Sequence, residues 1–118
     1  RENIPPIMVY QESNELKKSL KFWYRLPGHY HGSENYSVFA PRLEIINYYM
    51  EALRKYGWEF IAEEDNVEKS NGEKVEEKYV FRNGTYELQL SFPVETTVNF
   101  EGVVYEKSYY IIVFPINR

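Results

Sequence analysis

The spacing of apolar and polar residues predicts one helix set among strands. Residues 41–58, PRLEIINYYMEALRKYGW, carry apolar side chains at helical intervals. Leu43, Ile46, Met50 and Leu53 form one stripe, widened by Ile45, Tyr49 and Tyr56, while Arg42, Glu44, Asn47, Glu51, Arg54 and Lys55 lie opposite. Pro41 suits the first helical turn, where its missing N–H would have had no intrahelical partner. Glu51 and Lys55 stand in the favourable i, i+4 order, and Arg54 and Lys55 put positive charge where the helix dipole is negative. Gly57 then supplies a left-handed cap and Trp58 an apolar contact back to Leu53, the two parts of a Schellman ending.

Elsewhere the period is two. Residues 1–6 read as an entry segment, 7–10 as a short β piece and 11–19 as a polar run. From residue 20, Leu20, Phe22, Tyr24 and Leu26 alternate with Lys21, Trp23 and Arg25, a strand closed by Pro27-Gly28. Residues 29–35 lack a period and read as a loop, and 36–40 as a short extended entry to the helix. After the helix, Trp58, Phe60 and Ala62 face one way until the acidic residues Glu63, Glu64 and Asp65 and the Asn71-Gly72 pair mark a loop. Residues 75–82 and 85–92 flank Asn83-Gly84, a pair that supports a type I′ hairpin turn. With Arg82 opposite Thr85, Phe81 faces Tyr86, Tyr79 faces Leu88 and Val75 faces Phe92, which puts the apolar residues on one face. Pro93 marks a bulge or edge. A turn at Glu101-Gly102 returns residues 103–114 beside the preceding strand, with Tyr109, Ile111 and Val113 on the face of Leu88, Leu90 and Phe92.

These elements predict a two-layer α+β fold, one main helix packed on an antiparallel meander sheet. At 118 residues the chain suits a single domain, residues 1–118. In the last strand Tyr110, Ile112 and Phe114 are also apolar, so its second face is either covered by the N-terminal segment or offered as a contact surface, and two copies could pair through that face or through the edge of the strand.

Composition narrows the function. Aromatic residues make up 18% of the chain, twelve of them tyrosine, a residue that suits half-buried faces and contact surfaces. A net charge of −4 argues against a binder of nucleic-acid phosphates. The lack of cysteine excludes disulfides and thiol chemistry, and no apolar run approaches the roughly 20 residues of a membrane-spanning helix. The sequence opens on Arg1 rather than methionine, which suggests a removed leader and tilts the expectation towards export.

Catalytic motifs do not emerge. His29, His31 and Glu34 could present ligands to a metal, but their spacing is that of ordinary polar loop surface. Glu63, Glu64, Asp65 and Glu68 lack the alternation and central glycine of a calcium loop. No serine lies in a nucleophile elbow, and no glycine-rich phosphate motif occurs, so no cofactor is expected. Asn35-Tyr36-Ser37 and Asn83-Gly84-Thr85 match glycosylation sequons, the second already explained by its turn. Trp23 shares its strand side with Lys21 and Arg25 and, with Tyr30 and Tyr36, suggests an aromatic-basic contact surface. Trp23, Tyr30, Tyr110 and Phe114 are therefore the candidate binding residues, and a protein or envelope component the candidate partner.

Tyr48-Tyr49, Leu53 and Gly57-Trp58, followed by a strand, resemble the "FY…L…GW" helix of small secreted bacterial domains and lipoproteins of unassigned function. The run from Tyr79 through Val80, Phe81, Arg82 and Asn83 to Gly84 resembles the hairpin that follows it there. Together they cover residues 36–92. The resemblance implies an exported, envelope-associated protein anchored through a lipidated cysteine, which this sequence does not contain. The insert at 66–74 and the tail beyond Pro93 exceed the pattern. The expected function is a non-enzymatic binding or scaffolding domain of the bacterial cell envelope. The alternative is a small ligand-binding protein or enzyme with a pocket between helix and sheet.

Overall fold

The computed structural model describes residues 32–116 and the backbone of residues 2–3, 7–9, 19–21 and 24–25; side chains are described for 35–116. The N-terminal segment contributes β1 (Glu2–Asn3), β2 (Ile7–Val9), β3 (Ser19–Lys21) and β4 (Tyr24–Arg25). Then follow β5 (Gly32–Pro41), α1 (Arg42–Lys55), β6 (Glu59–Val67), β7 (Lys74–Asn83), β8 (Tyr86–Pro93), a 3-10 turn (Val94–Thr96), β9 (Thr97–Phe100) and β10 (Val103–Pro115). A six-stranded antiparallel sheet dominates, in the order β5-β10-β8-β7-β6, with β9 also paired to β10. Against the expected α+β class, the fold is therefore mostly β, with one 14-residue helix among the described residues. Two segments that lack clean alternation are responsible. Residues 32–35, expected in a loop, belong to a ten-residue β5, and the acidic run 63–65 lies inside β6. Backbone pairing to a neighbour overrides local composition in both, because a strand needs only a ladder on one side. Of the strand expected over 20–26, the described pieces pair elsewhere: β3 with β2, and β4 with β1. β2 lies beside α1.

The helix packs on one sheet face. Ile45, Ile46, Tyr49 and Leu53 are buried against Tyr79, Phe81, Tyr86, Leu88, Leu90, Phe92, Tyr109, Ile111 and Val113, and Ala52 is buried as well. The buried stripe is thus rotated from the expected one: Leu43 is 67% exposed, Tyr56 is exposed, and Ala52 is inside. Each fully buried Leu or Ile contributes about 1.5–3 kcal/mol relative to exposure. Two buried phenols solve their polar requirement together, Tyr49 and Tyr109 sharing a hydrogen bond of 2.7 Å between hydroxyls.

The helix ends as its sequence predicts. Trp58 N–H donates to the Leu53 carbonyl at 3.0 Å and Gly57 N–H to the Arg54 carbonyl at 3.1 Å, the double bond pattern of a Schellman motif. Gly57 holds φ +90°. Trp58, 2% exposed, joins the core beside Leu53.

The β7–β8 hairpin departs from expectation by two residues. Asn83 pairs with Tyr86, Phe81 with Leu88, Tyr79 with Leu90 and Glu77 with Phe92. A shift of two preserves side-chain parity, so the apolar residues still share the core face. The turn is now Gly84-Thr85, with positive φ at Gly84 alone (+60°), which is a II′ rather than an I′ pattern. Asn83, freed from the turn, caps the helix instead, its Nδ2 donating to the Tyr56 carbonyl at 2.9 Å. The Glu101-Gly102 turn has positive φ at both residues (53° and 80°), as type I′ requires, and β10 places Tyr109, Ile111 and Val113 on the expected face, with Ile111 opposite Leu90 and Val113 opposite Leu88.

A Cβ at position 57 would lie 3.0 Å from Asn83 Nδ2, whereas one at Gly72, also at positive φ, would meet nothing within 4 Å. Gly72→Ala should therefore cost about 1–2 kcal/mol, the left-handed penalty alone, and Gly57→Ala more. Urea unfolding of G57A, N83A and the double variant should show a smaller loss in the double variant than the sum of the two.

Candidate binding cleft

Asn47, Met50, Glu51 and Arg54 recur at i, i+3, i+4 and i+7 and form the flank of α1 next to its buried stripe. The Schellman turn brings Trp58, Glu59 and Phe60 back alongside that flank. Phe81 stands opposite Phe60 in the β6–β7 ladder, their ring centroids 5.5 Å apart in an edge-on arrangement. Together these residues and Gly57 line a cleft of about 540 Å³ between helix and sheet. That volume falls in the roughly 300–1,000 Å³ range of small-ligand sites. The floor is apolar, made by Met50, Trp58, Phe60 and Phe81; Phe60 is 42% exposed, so its ring is within reach of a ligand. Asn47, Glu51, Arg54 and Glu59 supply the polar rim, and among the described residues neither Glu51 nor Glu59 is in an ion pair.

At the other end of the helix a charged cluster fastens α1 to the sheet. Arg42, the first helical residue, binds Glu106 of β10 through Nε and Glu77 of β7 through Nη1, with its guanidinium 5.2 Å above the Phe92 ring. Glu106 is fully buried, and the Thr97 hydroxyl, which reaches both the Pro93 carbonyl (3.0 Å) and Glu106 Oε1 (2.7 Å), shares its single proton between them. Burial pushes the Glu106 carboxyl above its ordinary range, against the opposing pull of Thr97 and Arg42. Glu77 goes the other way. Burial raises it, but the Lys74 hydrogen bond and the Arg42 charge together outweigh burial and hold it below the usual range. Desolvation lowers Arg42, but its hydrogen bond to Glu106 and the negative charges of Glu106 and Glu77 together outweigh burial and leave it raised. The cluster's chemistry is that of an anchor: one cation satisfies two carboxylates from different strands, and removing it would leave Glu106 buried without its counter-charge.

No family model, curated protein or solved structure matches the chain. The cleft and the cluster must therefore be read from their own geometry.

The predicted site residues do not converge on the cleft. Tyr110 and Phe114 lie on the sheet face turned away from α1, opposite Ser91 and Glu87, and both are partly buried. The Tyr110 hydroxyl donates to Glu76, and burial together with that carboxylate pushes it up to about 12. Trp23, Tyr30, His29 and His31 lie outside the described residues, and of Glu34 only the backbone is described, in β5. Among the described residues no group of His, Cys, Asp and Glu could hold a metal ion, and no helix is long and apolar enough to cross a membrane. Pairing through a free edge of the last strand is not available, because β10 is flanked by β5 on one side and by β8 and β9 on the other. A second exposed apolar group on the same far face, Phe39 stacked on Tyr105 at 5.1 Å with Phe100 and Val103 nearby, was not expected from the sequence either. The cleft residues carry one signal that could have been used, the apolar Met50 amid Asn47, Glu51 and Arg54. Arg42 and Glu106, 64 positions apart, carry none.

The opposite directions of Glu106 and Glu77 give opposite pH dependences. A raised carboxyl favours folding while protonated, so Glu106 removes stability as pH rises from the ordinary carboxylate range through its own higher pKa. A lowered one favours folding while ionised, so Glu77 removes stability as pH falls through the same ordinary range and below. Urea midpoints measured from acid to neutral pH should lose the first slope in Glu106→Gln and the second in Glu77→Gln, while Arg42→Ala should cost about 3–5 kcal/mol at neutral pH.

Proposed function

We propose that this chain is a non-enzymatic binding domain of the bacterial cell envelope that takes its ligand in the cleft between α1 and β6. The single observation behind the reading is the cleft itself: an apolar floor of aromatic side chains and a methionine, with two carboxylates at the rim that form no ion pair among the described residues. Such a lining favours holding an apolar group through its buried surface, with polar groups setting its orientation. The methionine adapts to ligand shape, since its unbranched thioether takes up several conformations at little cost. The alternative expectation, a pocket between helix and sheet, supplies the place, and the leading expectation of binding supplies the role. An enzymatic version would call on hydroxyls and a histidine, whereas the residues lining this cleft are Asn47, Met50, Glu51, Arg54, Gly57, Trp58, Glu59, Phe60 and Phe81. Export rests on the likeness of residues 36–92 to the secreted helix-and-hairpin pattern. Fractionation of cells producing the natural protein tests it, and recovery in the cytosol alone would overturn it.

A nuclear magnetic resonance screen of small aromatic and aliphatic fragments should move signals of Met50, Trp58 and Phe60 together. Glu51→Trp, which sets a bulky ring in the rim, should weaken those hits by about tenfold, a loss of about 1.4 kcal/mol. Hits centred on Phe39, Tyr105 and Phe100 instead, or unaffected by the rim substitution, would remove the cleft from consideration.

A further inference from the structure

The outer wall of the cleft belongs to β6, the last strand of the sheet order, and among the described residues nothing pairs with its outer edge. An edge strand of this kind presents a row of backbone N–H and C=O groups to any chain that can lie beside it. Its regular portion runs from Ala62 to Asn66, opposite Val80 to Glu76, between a bulge at Ile61 and a register shift before Val67. Five residues of ladder span about 17 Å, enough to align a short extended segment. The bulge turns the strand next to Phe60, at the mouth of the cleft.

Side chains decide which segment fits. Glu59, Glu63, Glu64 and Asp65 make β6 acidic, and the strand has no Lys or Arg. Compensation from β7 is incomplete: Lys78 stands 4.0 Å from Glu64, and Lys74 3.9 Å from Asp65 but closer to Glu77. On the helix side of the cleft Glu51 and Arg54 balance each other, so the negative charge along the path comes from β6. A second copy of β6 laid along this edge would set acid against acid in either direction, which opposes self-pairing. A segment bearing lysine or arginine at alternate positions meets complementary charge along the same path.

We propose that the cleft and the β6 edge together receive an extended, cationic peptide segment, whose backbone continues the sheet beside residues 62–66. An apolar side chain at its end enters the cleft among Met50, Trp58 and Phe60. The proposal rests on the reading of the cleft as the binding site and adds the class of occupant. Backbone pairing supplies affinity that does not depend on sequence, the acidic strand selects cationic segments, and the cleft selects an apolar residue at one position.

Two probes separate this from the broader reading: free indole for the cleft alone, and the acetylated peptide Lys-Val-Lys-Phe-Lys-Val for the edge and cleft together. The expected result is that the peptide shifts Trp58 and slows amide exchange across residues 62–66. Its affinity should fall about tenfold at ~0.5 M salt and in the double variant Glu59→Lys, Glu64→Lys, two exposed positions whose substitution leaves the core untouched. N-methylation of the peptide on the edge facing β6 should abolish amide protection. Equal binding by Glu-Val-Glu-Phe-Glu-Val would overturn the charge argument, and tight binding by the N-methylated peptide would overturn strand addition. If indole moves Trp58 and Phe60 while the cationic peptide leaves 62–66 unchanged, the occupant is wrong and the cleft stands. If neither probe moves the cleft, both readings fall.

Discussion

The end of the helix at Gly57 is the constraint on which the rest of the structure depends. A left-handed residue there lets two carbonyls of the last turn be satisfied by Gly57 and Trp58, and it reverses the chain within a few residues. That reversal sends Trp58 into the core and starts β6 at Glu59, beneath the flank of α1. Asn83 closes the junction from the far end of the β7–β8 hairpin, binding the Tyr56 carbonyl across 27 positions of sequence. One small residue thus fixes the relation of helix, edge strand and hairpin tip, and the cleft is the space this relation leaves.

The helix is held at its other end by a different kind of force. Arg42 joins β7 and β10 through carboxylates that are far apart in sequence, with the guanidinium resting on an aromatic face. Between the two ends the contacts are mostly apolar and non-directional, the Tyr49–Tyr109 hydroxyl bond being the exception, so most of them tolerate sliding. The polar anchor and the glycine cap remove that freedom. For the proposed function this means a cleft whose walls are held at both ends of the helix, so that a ligand bound there would not have to order the protein first. The fully buried Glu106 is the cost of the arrangement, since a carboxylate in that position needs Arg42 to remain beside it.

How much of this was legible varies with the physics involved. Local rules survived: the Schellman ending, the Glu101-Gly102 turn and the parity of β8 and β10 follow from backbone sterics and alternation within a few residues. Rules that weigh a local signal against a distant partner failed. Asn83-Gly84 is a strong turn signal, yet the turn moved on to Gly84-Thr85, because Asn83 gains a helix carbonyl that no neighbouring residue reveals. The acidic run at 63–65 resembles a loop until β7 pairs beside it, and that pairing also changed the fold class from α+β to a mostly β sheet carrying one helix. Leu43, expected in the buried stripe, is exposed and Ala52 is inside, because helical spacing defines a stripe only to within about one position.

The candidate site divides along the same line. Sequence by itself determined that residues 42–55 form an amphipathic helix stopped by glycine, that apolar residues of the following strands share a face, and that β6 is rich in acids. Each depends on neighbours within one turn or one pleat, where periodicity carries the information. Tertiary structure alone decided that Asn47, Met50, Glu51 and Arg54 would stand across from Phe60 and Phe81, that β6 would lie at the edge of the sheet, and that Arg42 would meet Glu106. Those outcomes depend on strand order, and strand order is a competition among pairings over the whole chain that no local pattern encodes.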